Sequence, residues 1–453
     1  MRWLKRILMG FGIAMLLIIG LLMVIVAMLP AALSIPQYFL KPKVEAEIAA
    51  IKAKGEPVTL EELAGPKIPD NENAALIYAR IFKEMEKPQV TEDMKVLRHF
   101  SSEKERQEDP SLWSKARLAV NRNRHLLPII EKAISRPKCQ FPVDWEDGPD
   151  AKFPHYAQLR KLSCLLYASS LIDAKAGRLN EAIRSLELGF KINDSLKDES
   201  GLLPLLVRAS FIRQFSNALR TISTLGDINV IQAERLFDDL SEIDMMNSNH
   251  RAMEGERAMG IALLTCMREH PTFYSDRNLE PHVYSEAMSR PVERTSGQFL
   301  SWRYADDLFY LQAMRRMLEN AEIPYREAVR RGLNDDPEFP RYAIFSAILT
   351  PLYTRVRSGR DETITEVAGS QILLALVAYK ERYNSYPQTL DELREKIGWN
   401  IPKDPFSGGE FIYKRQGNGF LLYSIGSDLK DDGGKEPTKD SHDKGDIIWR
   451  MEH

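Results

Sequence analysis

From Ile7 to Leu29 the chain runs for 23 residues without a charge or a proline. As an α-helix this run is ~35 Å long, enough to cross a bilayer with some tilt. Arg2, Lys5 and Arg6 precede it, and Trp3 is placed as an interfacial anchor. A cleaved signal peptide has a shorter apolar region, roughly 7–15 residues. Pro30-Ala31-Ala32 is also a weak cleavage site, because proline falls at its first small-residue position. The segment therefore reads as an uncleaved single-pass anchor. The positive N-terminal flank puts that end in the cytoplasm and the body, from Leu40 on, on the outer side of the membrane.

The rest of the chain is long enough for two or three domains and a sizeable core. Its net charge of −2 provides no global basic field for nucleic acid. Cys139, Cys164 and Cys266 have no metal-ligand spacing, and an odd count cannot form a fully paired framework. Buried free thiols are expected. No HExxH, GxSxG, Walker A or dinucleotide-binding fingerprint is present. The best histidine pair is His270 with His282, separated by Asp276 and Glu280. It lacks the ligand set of a metal site.

After the anchor the signals are helical. Lys41–Lys54 places Val44, Ile48 and Ile51 on one face, and Thr59-x-x-Glu62 fits a capping box. Asn71–Glu86 is predicted as the next helix. Residues 90–135 are polar and mixed in charge, with an apolar patch at Leu126–Ile134. Pro137 to Pro149 reads as an ordered loop. Cys139, Asp144 and Trp145 make it either a binding loop or a packed cross-connection that buries Phe141 and Trp145. From Tyr156 to Ser223 the helical periodicity is strong, with Leu159, Leu162, Leu166 and Leu171 on one face. Further helices fit Ile228–Ser241, Asn249–Met267, Gln298–Ala321, Tyr325–Gly332 and Tyr342–Val356. No strand signal of any strength falls between Lys41 and Gly359.

The end of the chain changes character. Thr363–Tyr383 is a helix whose centre, Ile372–Tyr379, is apolar nearly all round and must be buried on most sides. Tyr386-Pro387 ends it, and Thr389-x-x-Glu392 opens a short helix to about Ile397. Pro402–Gly409 is turn chemistry. Phe411–Lys414, Phe420–Ser424 and Asp446–Met451 are predicted strands, the first two joined by a hairpin at Gly417-Asn418-Gly419.

Ala174-Lys175-Ala176-Gly177-Arg178-Leu179-Asn180-Glu181-Ala182-Ile183 resembles the turn of a tetratricopeptide repeat, in a single copy. The order long helix, Tyr386-Pro387, Leu390-x-x-Leu393, Asp404-Pro405-Phe406-x-Gly408, Tyr423-Ser424-x-Gly426-x-Asp428, acidic loop, Asp446-Ile447 resembles the C-terminal domain of the major pseudopilin of type II secretion. The whole chain is similar to large membrane-anchored bacterial envelope proteins that end in such a module. In pseudopilins the long helix continues from the membrane segment, whereas here more than 300 residues separate the two. Gly10-Phe11 begins a prepilin cleavage site, but Met15 stands where that family has glutamate, so processing is not expected. In the family the loop binds calcium. The resemblance places its ligands on Asp428 and Asp446, with the carbonyl of Ile425 as a further oxygen. Hard oxygen donors of this kind suit Ca²⁺.

The expected fold is mainly α with a C-terminal α+β module: a long helix packed on a three-stranded antiparallel sheet. The expected organisation is an anchor (1–34), a helical lead-in (35–135), an α-helical domain with the hairpin (136–360) and the pseudopilin-like module (361–453). The expected role is structural or binding, in a membrane-anchored envelope protein of the bacterial inner membrane with protein partners. Alternatives are an envelope hydrolase with its site in the helical domain, or an accessory component of a type II secretion-like system. No catalytic residue is assignable, and calcium is the one cofactor implied.

Overall fold

The computed structural model describes residues 38–269, 300–435 and 445–451. The helices are α1 (38–53), α2 (Leu60–Ala64), α3 (Ala75–Met85), α4 (Pro88–Ser101), α5 (Glu103–Glu108), α6 (Leu112–Asn123) and α7 (Leu127–Ile134). They continue with α8 (Pro154–Lys175), α9 (Leu179–Lys191), α10 (Leu202–Leu225), α11 (Val230–Ser241), α12 (Met245–Glu269) and α13 (Leu300–Glu319). Next are α14 (Tyr325–Arg330), α15 (Ile344–Leu349), α16 (Tyr353–Tyr383) and α17 (Leu390–Ile397). The strands are β1 (Ile412–Gln416), β2 (Gly419–Ser424) and β3 (Ile447–Met451). The chain is mainly helical with one small antiparallel sheet at its C-terminal end. Before Ile412 the described residues hold a single isolated bridge, between Asn73 and Lys138, and no strand. The stretch Ile7–Leu29 and the pair His270/His282 lie outside the described residues. Among those described, no helix is long and apolar enough to cross a membrane.

Two units form. One takes the described residues of Met1–Thr59, Arg257–Arg316 and Pro337–Pro351. Within it Glu47 pairs with Arg315 at 2.9 Å and Glu56 with the buried Arg257 at 2.8 Å. Asp306 opens α15 by accepting the backbone N–H groups of Phe345 and Ser346 at 2.8 and 2.9 Å. Beside it burial pushes the Asp307 carboxyl up to about 6, against the pull of Arg268.

The larger unit takes Leu60–Glu256, Met317–Asp336 and Leu352–His453. Its centre is the α8/α9 hairpin. Leu159, Leu162, Leu165, Leu166 and Leu171 of α8 are all buried against α4, α6, α9 and α10. The turn follows the expected chemistry: Gly177 takes φ +75°, which a Cβ disfavours, and Arg178 N–H closes the helix end on the Asp173 carbonyl at 2.9 Å. The Asp173 carboxylate is fully buried and is held by Arg124 and Arg178.

Helix α16 runs ten residues longer at its start than the apolar pattern suggested. Its residues from Ile372 to Tyr379 are all buried, because α10 and α11 cover one side and β2, β3 and α17 the other. Asn384, in the left-handed region at φ 56°, ends it. The sheet order is β1-β2-β3, with β2 central and buried at every position. A two-residue link, Gly417-Asn418, joins β1 to β2, and Leu422 pairs with Trp449 across to β3. Asp404 locks the Pro402–Gly409 turn. It accepts from Phe406 and Ser407 N–H, each at 3.1 Å, and from the Ser424 hydroxyl at 2.7 Å.

Residues 90–135, expected within the helical lead-in, fold into helices α4 to α7, which bury positions such as Met94, Leu97, Ala116 and Val120. Two readings need correction. Tyr342–Val356 is not one helix: Pro351 cannot donate a backbone bond, so α15 stops and α16 begins afresh. At α17, Thr389 caps as expected, but Glu392 accepts from Gln388 N–H at 2.7 Å and from the Tyr379 hydroxyl.

Candidate ligand-binding cleft

In the larger unit the loop after α2, the loop after α7 and the turn after α9 meet beside the N-terminal end of α8. Their junction is built from the backbone outward. Ala74 N–H donates to the Lys138 carbonyl at 2.8 Å. The Asn73 side chain accepts from Gln140 N–H at 2.9 Å and donates to the Gln140 carbonyl at 3.1 Å. The Gln140 amide accepts from Ile68 N–H at 3.2 Å and donates to the Ala64 carbonyl at 2.5 Å. Two irregular loops thus have their polar groups satisfied by each other, as ordered backbone requires.

This framework borders an open cleft of about 760 Å³, within the ~300–1,000 Å³ of small-molecule sites. Phe141, Trp145, Phe153 and Tyr156 line it, with Leu76 on the α3 side. The rings pack on one another. Phe153 stacks on Tyr156 with centroids 5.5 Å apart, and Trp145 meets Phe153 edge-on at 5.8 Å. Behind Phe141, the buried His155 ring stacks at 4.4 Å and 8°.

Three carboxylates lie at the same cleft: Asp70, which is exposed, Asp198 and Glu199. Asp198 pairs with Arg251 at 2.9 Å. Glu199 accepts from the Tyr156 hydroxyl at 2.6 Å, and His155 Nε2 lies 3.1 and 3.2 Å from its two oxygens. With Nε2 donating, His155 Nδ1 is left buried without a partner. Burial pushes the Tyr156 phenol far above its usual range, and the Glu199 charge adds to it. Cys139 also lines the cleft. Burial first, then Glu199 and Asp198, hold its thiol far above the ordinary value. Nucleophilic cysteines need the opposite shift, so Cys139 behaves as a packing group. Cys164 and Cys266 are free and partly buried.

The 137–149 loop packs as a cross-connection and also borders the cleft. Phe141 is packed inward, while Cys139 and Trp145 also face the cleft. Asp144 is exposed and is not part of the lining. Glu199 and Tyr156 escaped the sequence reading because Lys197-Asp198-Glu199-Ser200-Gly201 looks like any solvated connection, and Tyr156 like one more core position of α8.

The acidic loop is the second place to consider. Because Ser424 pairs with Ile447, Ile425 and Asp446 leave the sheet at the same end. Asp446 is buried and accepts from Gly434 N–H at 2.7 Å and Asp432 N–H at 3.4 Å. Asp428 accepts from Lys430 N–H at 3.1 Å. Burial raises the Asp446 carboxyl above the usual range, and the charges of Asp432 and Asp431 add to the rise. Among the described residues no three His, Cys, Asp or Glu side chains converge as a metal cage. Residues 436–444 of the loop lie outside the description. Comparison with protein families, with curated proteins and with solved structures finds no match for this chain.

Proposed function

We propose that the protein is a membrane-anchored envelope protein with a binding role, and that its helical body takes its ligand in the cleft between the 63–79, 138–156 and 198–200 segments. The observation that carries this reading is the cleft itself, lined in part by Phe141, Trp145, Phe153 and Tyr156, with the Glu199 carboxylate beside it. The uncharged stretch Ile7–Leu29 supports the anchor. The hydrolase alternative has less behind it: the His155 ring is buried behind Phe141, and the Cys139 thiol is shifted away from reactivity.

A photo-crosslinking side chain at Leu76, which is 46% exposed and lines the cleft, is expected to give a discrete adduct in intact cells. The same side chain at Leu118, 54% exposed and outside the cleft, serves as control. Equal labelling from both positions, or none from Leu76, rejects the cleft as the site.

Calcium in the acidic loop is a subsidiary proposal, supported by the crowding of charge around Asp446. A carboxyl whose folded pKa is raised favours the fold when protonated, and that contribution is lost as pH rises through the folded pKa. At neutral pH a cation at the loop would relieve the crowding. The protein should then melt higher at pH 7 in millimolar calcium than in chelator, and Asp428→Ala should remove the difference while Asp440→Ala leaves most of it. Binding at a hundredfold excess over Kd is worth ~2.7 kcal/mol. Identical melting with and without calcium removes the metal.

A further inference from the structure

We propose that the cleft selects an organic cation, an alkyl- or quaternary ammonium group carried on an apolar body. The proposal rests on the ligand-cleft reading above and adds the chemical class.

Four aromatic side chains, Phe141, Trp145, Phe153 and Tyr156, line one small space. An aromatic ring presents a negative face, and a cation over that face within ~6 Å is attracted, most strongly where water is excluded. Each ring also offers apolar contact, so the same wall that holds the charge holds the body of the ligand.

The charged groups agree in sign. Of the three carboxylates at the cleft, Asp70 is exposed and Asp198 already has Arg251 as its partner. The Glu199 carboxylate is met by a tyrosine hydroxyl and an imidazole nitrogen, not by a lysine or arginine. No arginine lines the cleft, and arginine is the residue that fits a carboxylate or phosphate ligand. Two lysines line it, Lys67 and Lys138. Both are exposed, and Lys138 lies 3.4 Å from Glu72. An exposed lysine is screened by water and salt, whereas Glu199, with its side chain only 20% exposed, acts through a drier medium. Four aromatic residues in the lining and a half-sequestered carboxylate together favour a soft, weakly hydrated cation over a metal ion or an anion.

The test is calorimetric titration of the full chain in a maltoside detergent, which carries no ammonium group. Three probes share one ring: benzyltrimethylammonium, benzyl alcohol and benzenesulfonate. The cation is expected to bind at least ~10-fold more tightly than the alcohol, the scale of one desolvated cation–π contact. Glu199→Gln should remove about tenfold from the affinity for the cation and leave the alcohol unchanged, and Trp145→Leu should weaken the cation about tenfold more than it weakens the alcohol. Trp145→Phe keeps an aromatic face and should retain most of the binding. Unchanged melting temperatures show that the variants fold. Equal affinity for cation and alcohol, preference for the sulfonate, or cation binding that survives both disruptive substitutions overturns the proposal. In any of those cases the Leu76 crosslink still decides separately whether the cleft is a binding site.

Discussion

Gly369→Ala is expected to destabilise the protein by up to about 2 kcal/mol net, although alanine is the better helix former. Gly369 lies in α16 against β3. A Cβ built there would sit 2.1 Å from Trp449 Cζ2 and 2.4 Å from two further indole carbons. The indole has little room to retreat. Trp449 is fully buried, Arg220 lies over its face at 4.6 Å, and Phe411 meets it edge-on at 5.8 Å. Overpacking of this kind usually costs about 1–3 kcal/mol, against the ~1 kcal/mol that alanine gains over glycine inside a helix. Gly359 in the same helix is the matched control, since nothing lies within 4 Å of its would-be Cβ. Gly359→Ala should therefore stabilise by roughly 0.5–1 kcal/mol. Urea denaturation of both variants reads the difference. Destabilisation by both, or by neither, would show that the Gly369–Trp449 contact does not control the packing of helix on sheet.

The second large effect is expected at Arg360. Its side chain is wholly buried. Nε donates to Asp361 at 2.6 Å, one terminal nitrogen to the Ile323 carbonyl at 2.9 Å and the other to the Ala321 carbonyl. Asp361 in turn accepts from Tyr325 N–H at 2.7 Å, at the first residue of α14. Arg360→Met removes one partner of a buried ion pair and takes a donor from two carbonyls, of which that of Ala321 keeps the Asn249 amide at 3.3 Å. The cost should be ~3–5 kcal/mol. Asp361→Asn should cost less in the Arg360→Met background than alone, because the charge it removes is by then uncompensated. That coupling should exceed roughly 0.5 kcal/mol in a double-mutant cycle. By contrast Arg394 pairs with Asp391 at 2.7 Å in a solvated setting, with 37% and 91% of the side chains exposed. Arg394→Ala should change stability by no more than ~1 kcal/mol. Equal effects at Arg360 and Arg394 would show that burial does not set the worth of these pairs.

Where one side chain pattern had one consequence, the sequence was readable. The all-round apolar centre of α16 could only be a buried helix, and it is. Alternation and turn residues placed all three strands within a residue or two. Residues 90–135 were legible as helical, but not as four separate helices, because α4 to α7 bury a narrow stripe and solvate the rest, so local composition is dominated by their outer faces. The cleft was half legible. Proline, glycine and aromatics marked 137–149 as an ordered loop that had to bury its rings. Nothing local tied it to Asn73, 67 positions from Gln140, or to Glu199, 44 positions from His155.

The sequence by itself determined the helical character of the body, the hairpin at Gly177, and the order and pairing of the C-terminal strands. Each of these depends on residues close in the chain, where periodicity and turn geometry act directly. Only the tertiary structure decided that Trp449 would press on Gly369, that Arg360 would bridge two backbone segments, and that Glu199 would meet Tyr156 beside four aromatic rings. Those contacts join residues far apart in the chain. They follow from how helices pack and which loops then share an edge, and no residue pattern along the chain encodes that.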